Sequence, residues 1–158
     1  MSNFKVRATI LDIPGKERYE IIRAAISRFN DAIKQGYYLE ATALMESLIS
    51  DRLESRLGEL KKRHVTFDTI GNLTSKLNKV ESDPILKEIM NKGFNQWCGQ
   101  RNICIHQAAK IELSKKKDWL IFLKQSEDTA KEGRKLFNAY NTRLNKVRKT
   151  KQLNSKNS

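Results

Sequence analysis

Proline and glycine are scarce in this chain, with two and seven in 158 residues, and cysteine and histidine occur only twice each. So few helix breakers leave room for long helices and exclude collagen-like or low-complexity architectures. Two cysteines cannot build a disulfide scaffold. Cys98 and Cys104, six apart on one predicted helix, point in different directions and do not bridge each other. They read as reduced, partly buried thiols, and without further Cys or His at ligand spacing no zinc site is expected. No apolar run reaches the roughly 20 residues of a membrane span, and MSNFKVRATILDIPGK lacks a signal-peptide core. The chain is therefore expected in the cytoplasm, without a membrane partner and without a cofactor. A Gly-rich phosphate loop, an internal repeat and a useful strand alternation are also missing.

What the chain has is positive charge. Lys and Arg total 31 against 18 Asp and Glu, a net +13. Residues 115–158 carry 13 basic against 4 acidic side chains, and residues 1–114 carry 18 against 14. Such a surplus favours polyanion partners through steering and counterion release. A solubilising surface is the competing reading. An anionic membrane fits less well, because the basic tail has no apolar face beside it.

Apolar spacing gives the fold class. Residues 1–15 read as irregular, ending at Pro14-Gly15. From Lys16, the residues Tyr19, Ile22, Ile26, Phe29 and Ile33 recur at helical spacing up to Gly36, a suitable stop. A longer helix is predicted over 37–62 with Leu44, Met45, Leu48, Leu53 and Leu57 in its stripe, antiparallel to the first. Residues 64–82 give a weaker helix containing Phe67, Ile70 and Leu73. Asp83-Pro84 is a strong start signal for a stretch that Gly93 or Gly99 divides in two. The last helix spans about 118–149, and residues 150–158 read as a polar, basic, disordered tail. The expected architecture is all-α, a four- to five-helix bundle over residues 16–149, with Trp97 and Trp119 as core anchors.

The chemistry concentrates in Arg101-Asn102-Ile103-Cys104-Ile105-His106. RNA cleavage without a metal needs a proton-transfer group near neutral pKa and a fixed cation for the charge building on phosphorus. Histidine supplies the first and arginine the second. Arg-x4-His alone is a weak signal; an Asn directly after the arginine sharpens it. The bland alternative is a helix-cap arginine with a core histidine. Asn102 and His106 share a helix face, whereas Arg101 and His106 stand about 140° apart around the axis.

An all-α domain carrying Arg101, Asn102 and His106 on a late helix resembles the HEPN superfamily, defined by Arg-x4-6-His. Gly36-Tyr37-Tyr38-Leu39-Glu40-Ala41 and Trp97 are similar to corresponding features of that superfamily. The resemblance implies a metal-independent endoribonuclease, in a toxin–antitoxin or anti-phage defence setting. It also implies a homodimer with a composite cleft and an antitoxin or other regulatory partner. His106 would then be the acid or base in 2′-OH attack, Arg101 would hold the phosphate, and Asn102 would orient the site. A polar residue on the second helix often supports this pair; Glu46 is the candidate and Glu40 its competitor. One toxin branch has a modifiable tyrosine two residues after the histidine, but here that position is Ala108. Lys115, Lys116, Lys117, Lys146, Arg148 and Lys149 are candidate RNA-backbone contacts. Two other readings compete: a non-catalytic HEPN-like module that binds RNA or nucleotide, and a helical partner protein.

Overall fold

The computed structural model describes residues 15–63, 65, 67–108 and 118–156, and these form helices with no strand among them. Helix α1 (Gly15–Gln35) stops at Gly36, whose φ of 76° is a left-handed conformation that glycine adopts without strain. Gly36 N–H donates to Ile33 O at 3.2 Å and Tyr37 N–H to Ala32 O at 2.8 Å, the paired bonds of a Schellman stop. The chain then turns back into α2 (Tyr38–Lys61). Every residue from 53 to 58 is buried, so α2 is the central helix and lacks a solvated face there. It packs against α1, against α3 (Ile70–Asn78) and against α6 (Trp119–Lys156).

Between α3 and α6 runs one continuous rod: α4 (Pro84–Glu88), a π-helical turn (Ile89–Phe94) and α5 (Asn95–Gln107). Asp83 starts it as N-cap, accepting from Leu86 N–H at 2.9 Å, with Pro84 in the first turn. Neither glycine divides the rod, contrary to expectation; Gly93 sits inside the π-helical turn and Gly99 inside α5. Gly93 is there for proximity, since a Cβ on it would meet Leu136 Cδ2 at 2.7 Å. Trp97, 1% exposed, lies across Gly133 of α6 and donates its indole N–H to Thr129 O at 2.8 Å. Met45, Ile49, Leu53, Phe94, Phe137 and Leu144 join it in a single core.

The all-α bundle is as expected, but several details differ. Helix α6 is 38 residues long and continues to Lys156, so residues 150–156 are helical rather than a disordered tail. Helix α1 already includes Gly15, while residues 1–14 of the expected irregular segment lie outside the described residues. Trp119 is half exposed at the start of α6, stacked on Phe122 with centroids 5.2 Å apart, so it is no core anchor. Tyr19 is exposed, and neighbouring Arg18 turns inward to Asp51 at 2.7 Å. Phe67 precedes α3 and is also exposed. Among the described residues no helix is long and apolar enough to cross a membrane.

A buried ionic network joins α2, the α3–α4 link and α6. Arg56 and Glu81 are essentially inaccessible, and Arg56 donates through Nε to Oε2 at 2.7 Å and through Nη2 to Oε1 at 3.1 Å. Glu81 Oε1 also accepts the N–H groups of Ser82 and Asp83, both at 3.0 Å. Glu59 receives Arg56 at 3.3 Å and Arg148 from α6. Arg143, also from α6, donates through Nη2 to Asp83 at 2.5 Å. Burial alone would raise the Glu81 carboxyl, but the Arg56 guanidinium and the two backbone amides more than offset it, so it sits below the ordinary range. Asp83 is lowered chiefly by Arg143.

Glu81→Gln removes the countercharge of a buried guanidinium, and we expect a loss of about 3–5 kcal/mol in denaturant unfolding. Because both carboxyls are depressed in the folded state, their stabilisation is complete above the ordinary carboxylate range. It is lost as pH falls through their lowered folded values, so the wild-type melting temperature should drop in that acid window and the variant should drop less. Gly133→Ala would put a methyl 2.8 Å from a fixed indole, and it should cost about 1–3 kcal/mol. Gly71→Ala in α3 meets open space and should instead gain about 0.5 kcal/mol. Thermal melts of the two variants check both signs.

Candidate functional site

Helix α5 turns Trp97 and Cys104 into the core, with Cys98 and Arg101 half-buried at the edge of that face. Cys104 is fixed there by a 3.4 Å contact to Thr129 Oγ1 on α6. Arg101 leans the other way, toward α2, and its Nη2 meets Glu46 Oε1 at 3.0 Å. The arginine side chain is 16% exposed and the glutamate 34%, so the pair sits at the rim of the bundle. Arg101 Nε is buried without a hydrogen-bond partner among the described residues. Cys98, one turn before Arg101, shares this corner; burial pushes its thiol up, against the pull of the Arg101 guanidinium.

Asn102 and His106 are exposed. Counting 100° per residue from Cys104, they fall with Asn95 and Gly99 in a stripe facing away from the core. A Cβ on Gly99 would meet nothing within 4 Å, so the stripe is open from there to His106, while Asn95 at its start accepts from Thr74 Oγ1 of α3 at 3.3 Å. Exposed Ile103 and Ile105 flank it, one on each side. Within one chain, then, Arg101 and His106 belong to different faces of α5. The Arg101 guanidinium is engaged with Glu46, and the His106 imidazole faces outward in the last turn of the helix.

The other candidates separate clearly. Glu40 is taken by Arg28 at 2.7 Å, so of the two candidate carboxylates Glu46 is the one that meets Arg101. Lys146 and Lys149 are exposed on α6, whereas Arg148 is turned inward onto Glu59. Lys115, Lys116 and Lys117 lie outside the described residues. The Cys98 contribution was missed by sequence reasoning, although its three-residue spacing from Arg101 is the signal that it shares that edge.

A groove of about 610 Å³ runs between α5 and α6, on the side of α5 opposite Arg101. Its walls include Gln96, Gln100, Gln125, Asp128 and Glu132 and no Lys or Arg. Asp128 and Glu132 at its rim are paired with Lys124 and Lys135, so the groove offers no unpaired cation to a polyanion among the described residues. Among the described residues no three His, Cys, Asp or Glu side chains gather in metal-binding geometry. Comparison with protein-family models, with curated proteins and with solved structures finds no match.

Proposed function

We propose that the chain is a metal-independent endoribonuclease of HEPN type that works as a homodimer, in the toxin–antitoxin or anti-phage setting to which that resemblance points. The observation that carries this reading is the arginine and histidine of one helix held in two different ways. Arg101 is gripped by Glu46 from α2, and His106 is presented outward with Asn102. A guanidinium has five N–H donors, so one carboxylate orients it without exhausting it.

In this mechanism the imidazole takes the proton of a ribose 2′-OH as that oxygen attacks the adjacent phosphorus. The 2′-O–P bond forms, the P–O5′ bond breaks, and a protonated imidazole returns a proton to the leaving 5′ oxygen. Arg101 neutralises the charge that grows on the phosphoryl oxygens. The products are a 2′,3′-cyclic phosphate and a 5′-hydroxyl, and DNA, lacking the 2′-OH, is spared. The roughly 140° between the two side chains is bridged by two-fold symmetry. The outer stripe of α5 then meets its own copy, Gly99 lets the helices approach closely, and Ile103 and Ile105 supply apolar flanks.

The engagement of Arg101 by Glu46 also suits a second reading, in which an HEPN-like module binds RNA without cutting it. Purified protein incubated with RNA in EDTA separates the two. Cleavage with cyclic-phosphate ends is expected, and His106→Ala and Arg101→Ala should each abolish it with helicity kept, His106→Ala with melting unchanged and Arg101→Ala with melting lowered by the loss of its pair with Glu46. Glu46→Gln, which loosens the arginine without removing it, should lower the rate by up to about 10²-fold. Sedimentation should give twice the 18.3 kDa chain mass. Retained cleavage in His106→Ala would overturn the catalytic assignment. A monomer cutting at full rate would overturn the composite site.

A further inference from the structure

The two halves of α6 treat charge differently. In the first half each exposed lysine has a carboxylate one turn away: Lys124 with Asp128 at 2.9 Å and Lys131 with Glu127 at 2.5 Å. From residue 133 to 156 there are eight Lys and Arg and no Asp or Glu. The three arginines of this half turn inward, Arg134 over the Phe29 ring, Arg143 onto Asp83 and Arg148 onto Glu59. Of its exposed lysines, Lys135 at the boundary keeps only a long, solvent-exposed pair with Glu132 at 3.6 Å, and Lys146 and Lys149 meet no carboxylate among the described residues. Lys135, Lys146 and Lys149 are exposed and, at 100° per residue, lie within about 40° of one line opposite Phe137 and Leu144. Exposed Asn138, Thr142 and Asn145 fill the same strip, which extends about 21 Å from Lys135 to Lys149.

A merely solubilising surface mixes both signs, as the first half of this same helix does. Lys146 and Lys149, three apart on one face, repel by a few tenths of a kcal/mol, a cost that an incoming polyanion removes. Ammonium groups punctuated by short neutral donors match a chain of phosphates and offer little to read base edges. We infer that the Lys135–Lys146–Lys149 strip of α6 is a docking track for the phosphate backbone of a single-stranded nucleic acid, RNA and DNA alike. The inference rests on the ribonuclease reading only for its choice of ligand. A chain that binds through the strip but cuts nothing keeps this inference and loses that reading.

The test uses the full chain and a labelled single-stranded DNA oligonucleotide, which the ribonuclease reading leaves uncut. Anisotropy titrations at several salt concentrations compare wild type with Lys135→Gln/Lys146→Gln/Lys149→Gln. A charge-matched control changes Arg23, Lys79 and Lys92 to Gln on other elements. Single strands release about 0.7 counterion per neutralised phosphate, so the strip variant should lose about two units from its log–log salt slope. Its affinity at low salt should fall by about tenfold or more, and the matching RNA should behave the same in a His106→Ala background. Equal losses in strip variant and control, or an unchanged slope, would overturn the track. So would polyglutamate that displaces the oligonucleotide as well as unlabelled DNA does, which would assign the strip to acidic proteins.

Discussion

The pairing of Arg56 with Glu81 is the interaction on which the rest of the arrangement depends. Two charges with almost no solvent access are tolerable only when every polar edge is met, and here the fork-to-fork geometry and two backbone amides meet them. The consequence is positional. Glu81 fixes the backbone of Ser82 and Asp83; Asp83 caps the rod that ends in α5; and Arg143 ties that cap to α6. The location of Arg101 and His106 is thus set about twenty residues upstream, by an ion pair that takes no part in their chemistry.

Close approach supplies the remaining constraint on α5. Gly93 and Gly133 let α6 come near enough that Leu136 and Trp97 occupy the space a side chain would need. With Trp97 pinned to Thr129 and Cys104 to the same residue's hydroxyl, the rotation of α5 about its axis is settled from one side. Glu46 settles it from the other. The outward direction of His106 follows from what its neighbours on the helix are obliged to touch.

Periodicity made much of this legible. The α1–α2 hairpin with its glycine stop, the Asp83-Pro84 start and the burial of Trp97 all follow from local rules, because their partners lie within a few residues or in any apolar core. What could not be read was which charged groups meet across the bundle. Arg18 rather than Tyr19 turns inward because Asp51, 33 residues away, receives it. Arg148 read as a surface cation because nothing near it in sequence reveals Glu59, 89 residues before it. Trp119 carries core chemistry but occupies the first turn of α6, beyond the packed body of the bundle, and composition does not report that position. Nor do glycines announce their purpose: Gly93 resembled a breaker and serves as a contact. The Glu46 candidate, chosen for its place on α2, does meet Arg101.

The Arg101–Glu46 pair has an electrical consequence of its own. Its formal charge is zero, and the field of a neutral pair decays faster with distance than that of a free cation. The corner of α5 therefore projects little standing potential, and stray chloride or inorganic phosphate has no reason to accumulate there. Exposed Lys146 and Lys149 of α6, without a carboxylate partner among the described residues, project their field further. An anion gains from Arg101 only at hydrogen-bonding range, where its shape is tested beside a carboxylate already in place.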